Sequence, residues 1–110
     1  MAEQYINIIS GKENARVKVS DVVLIERTRR KLLVVTENRE YNYYEKLENV
    51  ESLLDSRFYP CLKGCYINLE HVSQMSEQCI YFDNGYSYNL GRANYSKAKQ
   101  KYKGFLRKTL

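Results

Sequence analysis

Two clusters of positively charged side chains are the residues of this chain whose type and spacing could do chemistry. The first lies between two apolar runs and comprises Arg27, Arg29, Arg30 and Lys31. The second follows the last acidic residue, Asp83, and comprises Arg92, Lys97, Lys99, Lys101, Lys103, Arg107 and Lys108. Clustered cations bind polyanions, and a planar guanidinium can also form paired hydrogen bonds with phosphate or guanine. The first cluster exceeds what solubility requires, whereas the lysines of the second could equally keep a terminal helix hydrated.

A catalytic or metal site finds little support in the side chains that would form one. The chain has one histidine, His71, and three cysteines, Cys61, Cys65 and Cys79. Their spacing lacks the paired Cys-x-x-Cys knuckles of a zinc site, and a Cys61–His71 pair lacks a third group to orient it. We therefore predict no enzymatic activity, no metal and no cofactor. Cys61 lies near Lys63, which could lower the pKa of its thiol and make its oxidation alter ligand affinity.

Length and composition predict one globular domain over residues 1–110. The chain is 44% hydrophobic and 28% charged with a net charge of +5, and it has no low-complexity tract. No apolar run reaches the roughly 18 residues of a membrane span, and the first residues lack the plan of a signal peptide. An odd number of cysteines argues against a secreted disulfide scaffold. We therefore expect a cytoplasmic protein with reduced thiols and no membrane partner.

The elements that must position the charged clusters are mainly β-strands. Alternating or continuous apolar runs predict strands at Tyr5–Ile9, Arg16–Val19, Val22–Glu26, Leu32–Thr36 and Arg39–Tyr43, with turns at Gly11-Lys12 and Glu37-Asn38. Asp83-Asn84-Gly85 predicts a hairpin between Cys79–Phe82 and Tyr86–Leu90, because Asn-Gly readily takes the positive φ angles of a two-residue turn.

Two helices are predicted from apolar residues that recur at helical spacing. Leu47, Val50, Leu53 and Leu54 predict a short helix over about residues 46–54 that ends near Ser56 and covers the sheet. Ala98, Tyr102, Phe105 and Leu106 predict a C-terminal helix over about residues 93–107, with Gly91 or Asn94 as its N-cap. The basic residues of the second cluster therefore lie on a helix whose apolar stripe joins the core.

The order of these features from about Arg16 to Phe105 resembles the LytTR DNA-binding domain. The matching motifs are Leu24-Ile25-Glu26 before a basic loop, a strand pair, a short helix with leucines, Phe58, a segment near Cys61, Asn68-Leu69, a hairpin, and Arg92 at the start of the last helix. The resemblance implies an elongated stack of short antiparallel sheets. It also implies that loops, and no recognition helix, read successive major grooves of double-stranded DNA, usually on tandem repeats.

The resemblance further implies a role in transcription regulation. LytTR domains usually follow a phosphoacceptor receiver domain in two-component response regulators, and nothing in this chain has the pattern of a receiver. We therefore expect a single DNA-binding output domain, either part of a longer parent chain with a receiver domain or a regulator complete without one. Two copies could form a dimer on DNA.

Site residues follow from the same resemblance. It assigns DNA contacts to Arg29, Arg30, Lys31, Lys63 and Arg92, and we add Asn94 and Lys97 from the start of the last helix as further DNA-binding residues. Arg30 corresponds to a base-contacting position and Lys63 to the contact position of the middle loop. Arg92 matches the base-reading arginine of the family, and its chemistry fits guanine O6 and N7. Leu62 and Gly64 replace a His and a Ser that are common in the family, so the middle loop is expected to make fewer contacts. Separately, Gly91 replaces a Ser that would cap the last helix.

Two other functions remain open at this point. A small β module could bind single-stranded RNA by stacking bases on Tyr81, Tyr86 and Tyr88, although tyrosines at such positions also serve sheet packing. Alternatively, the domain could bind a protein partner, and a complex insensitive to salt would favour that function.

Overall fold

Three antiparallel sheets and two α-helices make up the fold. The computed structural model describes residues 3–109; residues 1, 2 and 110 of the predicted domain lie outside that range. The strands are β1 (Tyr5–Ile9), β2 (Asn14–Lys18), β3 (Val22–Thr28), β4 (Lys31–Thr36), β5 (Glu40–Tyr44), β6 (Phe58–Leu62), β7 (Cys65–Asn68), β8 (Val72–Ser76), β9 (Cys79–Phe82) and β10 (Ser87–Asn89). The helices are α1 (Glu48–Glu51) and α2 (Arg92–Lys108), and single 3₁₀ turns lie at Val19–Asp21 and Leu69–His71.

A five-stranded sheet in the order β5-β4-β3-β7-β6 forms the middle layer. The β1-β2 hairpin and α1 pack on one face of this sheet, and the β10-β9-β8 sheet and α2 pack on the other. Each pair of neighbouring strands is antiparallel. The resulting stack measures 39 × 33 × 24 Å, which agrees with the predicted mainly β, layered architecture.

The central strand β3 explains why the chain carries the continuous apolar run Val22–Ile25. Val22 and Ile25 contact the core under β1 and β2, whereas Val23 and Leu24 contact the core under β8 and β9. A β-bulge between Val22 and Leu24 turns two consecutive side chains to the same face. All four side chains are fully buried, and each such burial contributes about 1.5–3 kcal/mol to folding.

Buried polar side chains fix the middle sheet and the turns that follow or precede its strands. Asn68 donates from Nδ2 to the carbonyl of Val22 at 2.8 Å, beside the bulge. His71 reaches the Ser20 carbonyl from Nε2 at 2.7 Å and the Asp83 carboxylate from Nδ1 at 3.0 Å. Both ring nitrogens thus face acceptors, which is the arrangement of a doubly protonated imidazolium.

Most predicted elements are confirmed, with adjusted bounds. The strand Tyr5–Ile9 and the C-terminal helix agree with the structure, and the N-cap of that helix is Gly91, not Asn94. The short helix is a single turn, Glu48–Glu51, because the backbone around it closes with i→i+3 bonds such as Leu53 N to Val50 O. The strands β6, β7 and β8 are absent from the prediction.

The hairpin at Asp83-Asn84-Gly85 is present, but its predicted turn type is wrong. Phe82 and Tyr86 bond directly across the turn, so the loop has three residues, and of these only Gly85 has a positive φ, 90°. Asn84 instead uses its side chain: Nδ2 donates to the Thr36 carbonyl and Oδ1 accepts from the Tyr86 amide. This contact with β4 outside the hairpin selects the longer loop.

His71 should make the stability of the fold depend on pH. Burial lowers the pKa of His71, but the Ser20 carbonyl and the carboxylates of Asp83 and Glu37 outweigh it, so the net pKa lies above the ordinary 6.5. The stabilisation is therefore complete below pH 6.5 and is lost as the pH rises through the raised folded value. Thermal unfolding between about pH 5.5 and about pH 8.5 should show a falling midpoint for the wild type and a flatter profile for His71→Gln. Parallel profiles would show that His71 does not carry the effect.

Candidate nucleic-acid interface

Two hairpin tips project side by side from one end of the middle sheet. Arg29 and Arg30 form the two-residue tip between β3 and β4, since Thr28 pairs with Lys31. Lys63 and Gly64 form the corresponding tip between β6 and β7, since Leu62 pairs with Cys65. Because β3 also pairs with β7, the two tips are neighbours. The structure thus brings together four residues that the sequence predicts as contacts: Arg29, Arg30, Lys31 and Lys63.

Arg27 joins this group, although it is not among the predicted contact residues. Its amide donates to the Gly64 carbonyl at 2.8 Å, and its guanidinium lies over Gly64, within 3.7 Å of where a Cβ would stand. Gly64 has a φ of 85°, a conformation that side chains larger than hydrogen rarely adopt. The register of β3 against β7 creates this contact, and only the clustering of arginines in the sequence points to it.

Arg29 holds a backbone conformation that an arginine rarely adopts. Its φ is 62°, in the left-handed region, which costs on the order of 1 kcal/mol for a residue other than glycine. The side chain is exposed and makes no ion pair within residues 3–109. Strained residues of this kind are common at binding sites, where the constraint presents a side chain in a fixed direction.

The start of α2 is tied to the same end of the middle sheet. The Tyr88 hydroxyl on β10 donates to the Glu26 carboxylate on β3. Tyr88 lies four residues before Arg92 in the chain. Burial and this carboxylate raise the pKa of Tyr88, which keeps the phenol protonated as the donor. Gln78 then fixes Leu90 by two bonds, accepting from its amide and donating from Nε2 to its carbonyl.

Arg92, Asn94 and Lys97 are exposed on the first turns of α2. Gly91 caps the helix without a side-chain bond, and the Tyr95 amide closes the first turn on its carbonyl. Free amides and the helix dipole make this end of α2 favourable for an anion. Gln78, which positions Leu90, is a functional residue that sequence reasoning missed, because its contact joins two separate turns.

The C-terminal half of α2 lies away from this end. Helix α2 packs along β6, and its residues Lys101, Phe105 and Lys108 line a groove with Ser56 and Arg57, just before β6 begins. The hairpin tip that carries Lys63 follows the other end of β6. The basic residues of the second cluster are therefore divided between the two ends of α2.

Two of the three cysteines, Cys61 and Cys65, are packed in the core beside the tip that carries Lys63, whereas Cys79 is half-buried on β9. Cys61 and Cys65 are 3% and 0% exposed. The Cys61 thiol donates to the Cys65 carbonyl at 3.7 Å. The neighbouring Cys65 side chain, and not Lys63, lowers the pKa of Cys61, while the Cys61 side chain and burial raise the pKa of Cys65. Within residues 3–109 no three His, Cys, Asp or Glu side chains converge as metal ligands.

The three tyrosines considered for RNA stacking do not form a common platform. Tyr88 pairs with the buried Ile80 and turns inward, and Tyr86 packs at 6.2 Å from the Phe82 ring. Only Tyr81 is largely exposed, at 41%. Since Tyr81 neighbours Ile80 along β9, its side chain points to the opposite face of the sheet.

Comparisons with known proteins agree with this architecture. The model of the family described as the LytTr DNA-binding domain matches residues 12–103. A solved structure from Bacillus cereus, the LytTr DNA-binding domain of a protein described as a methyl-accepting/DNA response regulator, superposes with a TM-score of 0.73. It is 19% identical, and the match covers 94% of this chain and 99% of that chain. At this identity the likeness concerns the fold. No curated protein matches the chain.

Substitutions at Arg29 should separate its cost in stability from its role in binding. Arg29→Gly and Arg29→Ala both remove the guanidinium, but only glycine adopts the positive φ without strain. Urea denaturation should therefore give Arg29→Gly a free energy of unfolding about 1 kcal/mol above that of Arg29→Ala. Both variants should lose the same amount of affinity for duplex DNA. If either variant binds as tightly as the wild type, the Arg29 side chain makes no contact.

Proposed function

This chain belongs to the family of LytTR DNA-binding domains, which are modules of transcription regulation. We propose that it reads double-stranded DNA in a sequence-specific manner from the loops at one end of its middle sheet. The observation that carries the proposal is the concentration of unpaired cations at that end. Arg39 and Arg57, elsewhere in the described chain, are each paired with a carboxylate at 2.7 Å. Arg27, Arg29, Arg30, Lys31 and Lys63 have no such partner within residues 3–109.

The dimensions of this end suit a duplex. Five strands give four spacings of about 4.8 Å, or roughly 19 Å, between the edges of the middle sheet. The start of α2 lies in the layer stacked on this sheet, within a molecule whose longest dimension is 39 Å. One turn of B-DNA measures about 34 Å, so contacts from opposite sides of the row could address successive major grooves.

We assign roles by position and chemistry. Arg30 and Arg92 are proposed to read base edges, Arg92 by a bidentate contact with guanine O6 and N7. Arg29 directs its guanidinium from a fixed backbone, and Lys31, Lys63 and Lys97 neutralise phosphates. Asn94, on the first turn of α2, is proposed to bond a phosphate or a base beside the contact of Arg92. No catalytic step and no cofactor are part of this function.

The wider role follows from family membership. We propose that the chain, over residues 1–110, is the output domain of a bacterial two-component response regulator, with a receiver domain elsewhere in a longer parent chain. The target is then a promoter in the cytoplasm, with tandem repeats bound by two copies that can meet on DNA. No helix of residues 3–109 is both long and apolar enough to cross a membrane.

Two substitutions on α2 should distinguish base reading from phosphate contact. Arg92→Ala should cost about 1–3 kcal/mol on the preferred sequence and relax the preference at one base pair. Lys97→Ala should weaken binding to all sequences alike. It should also reduce the steepness with which the logarithm of the binding constant falls with the logarithm of the salt concentration, the salt slope, by about 0.9. The measurement is selection from a random duplex library with sequencing of the bound fraction, followed by fluorescence-anisotropy titration at several salt concentrations.

Lys108→Ala is the matched control, because it removes the same charge from the far end of the same helix. It should bind like the wild type. A wild-type protein that selects no duplex sequence, or that prefers single strands, would contradict the proposal. If Arg92→Ala keeps the full preference, the protein binds DNA but Arg92 does not read it.

A further inference from the structure

A second surface beside the hairpin tips is basic and unusually apolar. A groove of about 570 Å³ is lined by the β1–β2 hairpin tip on one side and by the ends of β4 and β5 on the other. Ile9 and Tyr44, both in the lining, are 73% and 71% exposed, the highest values among the large exposed apolar side chains of the described chain. Lys12 and Lys31 supply the charge of the groove.

Lys31 connects this groove to the DNA-reading row. It follows Arg30 directly, and its partner across the sheet is Tyr44, the last residue of β5. The Lys31 ammonium lies 4.8 Å from the centre of the Tyr44 ring, a cation–π distance. The ring therefore holds the ammonium over its face, and the ammonium and the Tyr44 hydroxyl are two hydrogen-bond donors, each of a kind that binds a phosphate oxygen.

The hairpin tip that carries Lys12 is held in place by its own side chains. The Ser10 hydroxyl accepts from the amides of Lys12 and Glu13, at 3.3 and 3.2 Å. The Ser10 amide donates to the Glu13 carbonyl at 3.0 Å. Lys12 is thus presented from a fixed turn on the wall of the groove opposite Tyr44.

The carboxylates closest in sequence to the groove are engaged elsewhere. Glu13 is paired with Arg39 at 2.7 Å. Glu45 accepts hydrogen bonds from the amide of Lys46 and from Asn49 Nδ2, both at 2.8 Å, beside α1. Neither Lys12 nor Lys31 forms an ion pair within residues 3–109. The charge of Glu45 is still felt at the groove, since burial and this carboxylate raise the pKa of Tyr43, which lines it, to about 12.

We propose that this groove binds the sugar-phosphate backbone of the DNA beyond the segment read by the hairpin tips. Lys12, Lys31 and the Tyr44 hydroxyl bind phosphate, and Ile9 packs against deoxyribose. Continuity with the row of Arg29 and Arg30, together with the positive charge, selects DNA as the occupant over a protein. The inference rests on the proposed function and adds contacts that position the domain without reading sequence.

The test compares Lys12→Ala and Tyr44→Ser with Lys18→Ala in the full chain. Lys18 is exposed on the same hairpin but at its other end, so its substitution removes the same charge away from the groove. The DNA is the duplex selected by the wild type, with versions trimmed stepwise from each end. Affinity is measured between 50 and 200 mM salt, and sedimentation gives the number of copies bound.

Lys12→Ala should reduce the salt slope by about 0.9, so that the wild type loses about 3.5-fold more affinity than this variant over the salt range. Tyr44→Ser should also weaken binding, and the base preference of both variants should match that of the wild type. On a duplex trimmed at one end, the wild type and both variants should bind equally, because the outer phosphates are gone.

Three results would overturn the inference. Both variants could bind the full duplex as Lys18→Ala does, which would leave the groove without a ligand in DNA. They could instead alter only the number of copies bound, with an unchanged salt slope, which would make a second copy the occupant. If the difference in affinity between the wild type and the variants persists on the trimmed duplexes, Lys12 and Tyr44 do not act through the outer phosphates. A wild type that selects no duplex would contradict the proposed function itself, and so is distinguished from these results.

Discussion

The burial of β3 on both of its faces is the constraint on which the rest of the structure depends. A strand with apolar side chains on both sides needs a layer above and a layer below, and this chain supplies the β1-β2 hairpin with α1 on one side and the β8-β9-β10 sheet with α2 on the other. The bulge between Val22 and Leu24 determines which side chains of β3 face each layer. Beyond Ile25 the strand leaves the core, and the same strand that organises the fold then carries Arg27 and leads to Arg29.

Polar contacts hold the cations in fixed positions at one end of this layered core. The Arg27–Gly64 bond aligns the two hairpin tips, the Tyr88–Glu26 bond brings β10 against β3, and Gln78 holds Leu90 just before α2 begins. Each contact joins elements that are far apart in the chain. The residues proposed to bind DNA are themselves mostly exposed and contribute little to packing, so the fold does not dictate their identity.

Elements with a strong periodic pattern could be predicted from the sequence, and those that depend on tertiary contacts could not. Helix α2 and strand β1 follow from spacing alone, but β6 contains Pro60, which is tolerated because β6 is an edge strand. In the site, Arg29, Arg30 and Lys63 follow from turn position and family resemblance. The role of Tyr44 could not be predicted, because the sequence does not show which of two adjacent tyrosines faces the core. The strand register buries Tyr43, which is 3% exposed, and leaves Tyr44 71% exposed.

In the proposed complex with DNA, the middle sheet also sets the spacing of the contacts along the duplex. Neighbouring strands keep a spacing of about 4.8 Å that side-chain substitutions do not change. The two hairpin tips and the Lys31–Tyr44 pair take their positions from that spacing. In the proposed complex, a substitution at a tip would therefore change which base or phosphate is bound, whereas the separation between the contacts would stay the same.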